Sequence, residues 1–313
     1  MNKEKINVSV FGPGTMGSGI AQLFATKGFN VKVYVRNEEE LRALEIIPKN
    51  LQILKDNNVI SESEIPEIMS RIETTESFEE AAKSADIVFE SIIENLEIKQ
   101  DYFARLDEIC GPDTILASNT SVISITEIAE KSKNKQRIIG THFWNPPYIV
   151  PLIEVVKTEY ISEDVVERTV KILEDAGKKP VVVNKDVPGF LANRLQHALF
   201  REAISIIENG IADAKAVDDS IKYGFGLRIP VTAPMEVIDM GGIDLTYAIH
   251  SYLFKHLENS TEPSPLLVEK LNKKELGFKT GLGFQKWTKE DQEASRKNLI
   301  ENLIKVAKTL DRL

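Results

Sequence analysis

One cysteine, Cys110, stands in 313 residues, so no disulfide can close within the chain. That fits a reducing, cytoplasmic setting. Cys110 has no adjacent positive charge to favour a thiolate and reads as an inert thiol. No run of about 18 apolar residues occurs, so no membrane-spanning helix is expected. The opening MNKEKINVSVFG lacks the apolar core of a signal peptide, and no leader is expected. Basic residues are outnumbered, 39 against 48 acidic, and the net charge of −9 argues against a nucleic-acid partner, which needs a basic stripe. There are only four histidines, and no His/Cys group has metal-ligand spacing, so no metal is expected.

What is present is ordinary globular material, 42% apolar and 28% charged. The length suggests two domains with proper cores. Short apolar runs at 6–11, 31–35, 71–75, 86–91 and 114–118 alternate with helical spacing over 12–28, 38–70, 78–84 and 95–110. Strand–helix alternation predicts an α/β fold, a doubly wound, mostly parallel sheet with helices on both faces. After about residue 185 only helical patterns remain. Pro188 sits where a first helical turn tolerates proline, and Gly210 ends the helix. The expected division is 1–185 for a dinucleotide-binding Rossmann domain and 186–313 for an all-helical C-terminal domain.

Gly12-Pro13-Gly14-Thr15-Met16-Gly17 matches G-x-G-x-x-G, follows a strand and opens a helix. The first glycine permits the tight turn, the second lets backbone approach a pyrophosphate, and the third lets helix and strand pack closely. The helix N-terminus then offers free N–H groups to phosphate. At the end of the second strand an NAD site usually has an acid for the ribose hydroxyls. Here Val35 stands in that place, Arg36 follows, and Glu38, Glu39 and Glu40 come slightly late. Arg36 suits a 2′-phosphate, so NAD and NADP both stand, with the chemistry leaning to NADP.

The segment from Gly140 to Val156 runs IIGTHF into WNPPYIVP and out through LIEVV. Three prolines leave no room for a helical crossover, so the two apolar runs should pair antiparallel. That sets His142 beside Glu154, and a carboxylate beside an imidazole orients the ring and stabilises its charged form. The bland alternative is a structural His–Glu contact. Ser118, Asn119, Thr120 and Ser121 end a strand, where such sheets bind ligands, or cap the helix that follows. Asn193 lies early on the first helix of the second domain, facing either a ligand or solvent. His197, His250 and His256 lack partners by spacing and read as surface or packing residues.

The chain resembles the L-3-hydroxyacyl-CoA dehydrogenases nearly end to end, through GPGTMG (12–17), IIENLEIK (92–99), SNTS (118–121), THFWNPP (141–147), LIEVV (152–156), KDVPGFLANR (185–194) and KTGLGF (279–284). The resemblance implies an oxidoreductase of fatty acid metabolism that moves hydride between C3 of a 3-hydroxyacyl-CoA and a nicotinamide. It implies His142 as general base, Glu154 as its partner, and Ser121 and Asn193 against substrate and nicotinamide. Glu94, Lys99, Asn145 and Lys279 match positions lining the family's cofactor cleft. It also implies a homodimer through the helices of 188–260.

Departures point to a side branch. Pro147-Tyr148 after Asn145-Pro146, and Gly224-Phe-Gly226-Leu-Arg228, resemble the carnitine dehydrogenases and the gulonate dehydrogenase/lambda-crystallin group, which act on free hydroxy acids and polyols. The segment expected to cradle CoA carries Lys49 and Lys55 among acids. The substrate is therefore either an acyl-CoA or a free hydroxy acid. The short 3-hydroxyacid dehydrogenases use a lysine four residues before a helix asparagine, and Gly189 occupies that position here. A non-catalytic nicotinamide binder or crystallin-like protein is a further alternative, against which the His142–Glu154 pair argues.

Overall fold

The computed structural model describes residues 6–313; the part of the leader expectation that concerns residues 1–5 lies outside them. Eight strands form one sheet: β1 (Asn7–Phe11), β2 (Asn30–Tyr34), β3 (Ile72–Thr75), β4 (Ile87–Glu90), β5 (Ile115–Ser118), β6 (Ile138–Phe143), β7 (Leu152–Val156) and β8 (Lys179–Val183). Their order is β3-β2-β1-β4-β5-β6-β7-β8, parallel throughout except between β6 and β7. The expected doubly wound, mostly parallel sheet is therefore present.

Both faces are buried, which is why the central strands read as unbroken apolar runs. Val8, Val10, Ile87 and Phe89 pack with α1 (Thr15–Thr26), α3 (Ile46–Asp56), α4 (Glu64–Ser70) and α8 (Glu163–Asp175). Phe11, Val88 and Leu116 face α5 (Phe78–Lys83), α6 (Leu96–Ile109) and α7 (Ile125–Ile128). The stretch 38–70, read as one broken helix, is three: α2 (Glu38–Ala43), capped by the Asn37 side chain, then α3 and α4.

The chain divides into two compact units, but not at the expected boundary. The first runs to Leu191 and takes back Ile300–Leu313; the second is Ala192–Leu299. Residues 186–191 stay with the sheet because Phe190 is buried in its second core cluster and the Leu191 N–H donates to Glu154 Oε1 at 2.8 Å. Gly189 (φ +77°) and Phe190 (φ +48°) turn left-handed, so the helix starts after them and Pro188 lies in the preceding turn, not in its first turn. The return is made by the end of α14 (Lys289–Thr309). Ile304 joins the first core cluster with Ile300 and Leu303 packed against it, and Lys308 Nζ donates to the carbonyls of Asn57 and Asn58, both at 3.1 Å.

The second unit is helical: α9 (Ala192–Glu208), α10 (Ala214–Tyr223), α11 (Pro234–Gly241), α12 (Ile243–Leu253), α13 (Pro265–Asn272) and the start of α14. Isolated bridges among Gly277, Leu282 and Lys286 are the only β pairing among its described residues. Arg201 donates to the Ser260 carbonyl at 3.1 Å and Ser264 to Glu208 at 2.7 Å, tying α9 to the loop before α13. Large apolar side chains stay exposed here, with Tyr223 and Met240 each at 81%.

Candidate active site

The glycine turn after β1 is packed where packing is needed and open where a ligand needs room. A Cβ on Gly12 would stand 2.5 Å from the Ser91 carbonyl, and one on Gly17 would stand 1.9 Å from the Gly12 carbonyl. A Cβ on Gly14 would meet nothing within 4 Å. Gly14 is also the N-cap of α1 and no side chain caps it, so the first N–H groups of the helix are left for an anion. This cradle fits a dinucleotide pyrophosphate; Thr15 and Met16 open the helix above it.

At the end of β2 the late acid folds back. The Arg36 N–H donates to Glu40 Oε2 at 2.7 Å, and Arg36 Nε donates to Glu40 Oε1 at 2.6 Å. The hydrogen bond to Glu40 raises the Arg36 pKa above its ordinary value despite a small opposing effect of burial. Spacing alone missed Glu40, because its carboxylate reaches the strand end through one turn of α2. Arg36, expected as a 2′-phosphate receptor, is already paired.

His142 and Glu154 are register partners on antiparallel β6 and β7, as the proline-broken link requires. Their side chains meet with Nδ1 2.7 Å from Oε2, at 7% and 1% exposure. Glu154 also accepts from Trp144 Nε1 at 3.3 Å. With the Leu191 N–H, three donors converge on one carboxylate. The carboxylate fixes the ring tautomer with hydrogen on Nδ1, which leaves Nε2 as acceptor.

A cavity of about 380 Å³ in this unit is lined by Met16, Glu94, Lys99, Asn119, Ser121, His142, Trp144 and Asn145. The sequence-named residues Met16, Glu94, Lys99, Ser121, His142 and Asn145 are thus brought together. Asn119 holds the site's edge by accepting from the Phe143 N–H at 2.8 Å. Glu94 accepts from the Thr120 hydroxyl and from the Ser121 N–H, the latter at 3.2 Å. Burial would raise the Glu94 pKa, but Thr120 and the nearby Lys99 outweigh it and hold it below the usual range.

Lys99 is more deeply placed than expected. Its Nζ lies 2.6 Å from Glu90 and 3.3 Å from Glu94, and its side chain is buried. Glu90, unnamed from sequence, is wholly buried and accepts from Ser118 Oγ at 2.7 Å and the Ile92 N–H at 2.7 Å. Only its place at the C-terminal end of β4 could have flagged it. Asn193, the second residue of α9, and Lys279, in the exposed loop after α13, both belong to the second unit.

Cys110 is buried, and burial pushes its thiol up to about 11. His250 stacks on Phe254 at 4.1 Å and His197 packs on Phe200 at 5.5 Å. Among the described residues no group of three His, Cys, Asp or Glu could hold a metal ion.

Comparison with known proteins matches residues 7–187 to the NAD-binding domain of 3-hydroxyacyl-CoA dehydrogenase and residues 189–287 to that enzyme's C-terminal domain. A 5-formyl-3-hydroxy-2-methylpyridine 4-carboxylate 5-dehydrogenase of Mesorhizobium japonicum is 32% identical over 97% of this chain and 98% of its own. A probable 3-hydroxybutyryl-CoA dehydrogenase of Bacillus subtilis is 39% identical over 88% of this chain and 96% of its own. The crystal structure of a 5-formyl-3-hydroxy-2-methylpyridine 4-carboxylic acid 5-dehydrogenase, described as an NAD⁺-dependent dismutase, superposes with a TM-score of 0.89 at 32% identity, over 97% of this chain and 98% of that one. The chain belongs to the 3-hydroxyacyl-CoA dehydrogenase family and is an NAD-dependent oxidoreductase.

Proposed function

We propose that the chain oxidises a secondary alcohol of a compact free hydroxy acid, with His142 as general base. NAD, when bound, supplies the hydride acceptor. The observation that carries the base assignment is the buried His142–Glu154 contact of 2.7 Å, opening on the same cavity as Ser121 and Asn145. His142 Nε2 takes the hydroxyl proton as C–H hydride leaves the carbon. Glu154 then holds the imidazolium at Nδ1, a charge-assisted bond strengthened by burial. Ser121 orients the substrate oxygen. Gly12, Gly14 and Gly17 hold the dinucleotide, with Met16, Glu94, Lys99 and Asn145 as further cofactor contacts. Glu40, with Arg36 tied to it, suits the unphosphorylated ribose of NAD better than that of NADP.

Two observations favour a substrate without CoA. The region after β2, where the resemblance expects CoA, is used by the chain itself: Ile304 packs in the cluster of Leu51 and Leu54, and Lys308 holds Asn57 and Asn58. Lys55 there lies 3.7 Å from Asp56 and 3.8 Å from Glu62. The pyridine-carboxylate relative aligns with 97% of this chain, whereas the 3-hydroxybutyryl-CoA relative aligns with 88%. The second reading is a 3-hydroxyacyl-CoA dehydrogenase, favoured by that latter relative's 39% identity.

Absorbance at 340 nm separates the two readings. Acetoacetyl-CoA is compared with dehydrocarnitine and with free 3-keto acids, each with NADH. Preference for the free acids supports the proposal, and preference for acetoacetyl-CoA overturns its substrate. The exposed apolar side chains of the second unit, Tyr223, Met240 and Tyr247 among them, support a homodimer built on that unit. Sedimentation at low concentration tests it, and a monomer would refute it.

A further inference from the structure

A second cavity of the first unit, of about 530 Å³, shares no lining residue with the first. Four cationic side chains line it, Lys27, Lys178, Lys179 and Arg312, against one acidic side chain, Asp311. They come from four places in the chain: the end of α1, the turn before β8, the first residue of β8, and the segment after α14. No hydrogen bond or ion pair joins any of them to an acid among the described residues.

Lys178 is the informative member. Its side chain is nine-tenths buried, and its one hydrogen-bond partner is the Val150 carbonyl, 2.9 Å from Nζ. Burial, with a smaller push from Lys27, lowers its pKa to about 7. A buried ammonium with two protons unmatched and a like charge nearby is costly, and chains avoid it unless an anion compensates.

Helix capping does not account for the cluster. Both helix ends close on their own backbone. After α8, the Gly177 N–H donates to the Glu174 carbonyl at 2.8 Å and the Lys178 N–H to Leu173 at 2.9 Å. After α1, the Gly28 N–H donates to Ala25 at 3.1 Å and the Phe29 N–H to Phe24 at 3.0 Å. The last carbonyls are thus satisfied without lysine side chains. The residual attraction of a cation for a helix end is small and needs no burial.

We propose that this cavity binds a phosphate-bearing dianion. Lys27, Lys179 and Arg312 outnumber the Asp311 carboxylate in the lining, an excess of positive side chains that suits a doubly charged anion. Lys178 completes the set by taking up a proton as the anion enters. The volume admits a phosphate monoester of moderate size, with Pro151, Leu152 and Leu313 offering apolar contact.

The test is calorimetric titration of the full chain with inorganic phosphate and, separately, with AMP and glucose 6-phosphate as monoesters, at matched ionic strength. Titration at pH 8 in buffers of different ionisation enthalpy should show uptake approaching one proton per anion, and at pH 5.5 uptake should give way to release, because Lys178 is then already charged and the mostly monoanionic phosphate sheds a proton to bind as the dianion. Lys178→Met and, independently, the exposed Arg312→Gln should each weaken binding about tenfold or more. Binding by inorganic phosphate alone identifies the free ion as ligand, and tighter binding of one monoester identifies an organic phosphate. The proposal is overturned if none binds up to about 20 mM, if neither variant alters affinity, or if no proton is taken up at pH 8.

Discussion

Glu154→Gln tests the proton-handling half of the site with the least change of shape. In the wild type, Glu154 accepts from His142, Trp144 and the Leu191 N–H, so a neutral amide must turn its NH₂ toward at least one donor. What is lost is the charge-assisted bond that grows as His142 becomes imidazolium. Hydrogen bonds to charged groups contribute about 1.5–3 kcal/mol. At about 1.36 kcal/mol per decade, kcat should fall roughly ten- to 150-fold. The buried setting, with Glu154 at 1% exposure, argues for the upper part of that range. NAD affinity, read by quenching of tryptophan fluorescence or by NADH emission, should stay within about twofold, since Glu154 is not among the residues assigned to the cofactor. A thermal melt should show a loss of several degrees at most, from the one mismatched donor, about 1–3 kcal/mol. A kcat within about threefold of wild type would refute the assignment. So would a loss carried wholly by NAD affinity.

Four further variants test other contacts. Gly14→Ala should melt with the wild type, because its Cβ meets no protein atom, yet lose NAD affinity about tenfold or more; Gly17→Ala, whose Cβ would lie 1.9 Å from the Gly12 carbonyl, should lose several kcal/mol of stability in the same melts. Glu40→Gln should release Arg36 and narrow the preference for NADH over NADPH about tenfold, as seen in kcat/KM for the two coenzymes. Lys178→Met should raise the melting temperature by several degrees at pH 6 and far less at pH 9. The sign follows from a folded pKa of about 7, below the unfolded value: the penalty for the buried cation is full below pH 7 and is relieved as pH rises from there toward the unfolded pKa.

Legibility in the sequence tracked how local each cause was. The β6–β7 pairing could be read because three prolines within one short link exclude a helix, and the register His142↔Glu154 follows from that. The glycine turn was equally local, each glycine answering to a steric demand within a few residues of chain or one neighbouring strand end. Glu40 was misjudged because counting residues along a strand ignores the fold-back of α2, whose first turn carries the acid to the strand end. Glu90 was invisible because its apolar run hides it, and its partners Lys99 and Ser118 come from two other elements.

The return of α14 was the largest miss, and its reason is general. Leu299, Ile300, Leu303, Ile304 and Ala307 have the spacing of an apolar helix face, but periodicity states only that a face must be covered, not by what. The composition of 286–313 matches the helical unit it follows in sequence, so assigning all of it there was the natural inference. What decides otherwise is complementarity across about 250 residues: Ile304 joins the cluster of Ile47, Leu51 and Leu54, and Lys308 reaches the carbonyls just past the end of α3. The same return delivers Arg312 to Lys27, Lys178 and Lys179. One misplaced helix thus concealed two features. It covers the region where a CoA moiety was expected, and it completes a basic cavity on the sheet-bearing unit. Both bear on which ligands this unit admits, and neither could be read from a helical pattern without its partner.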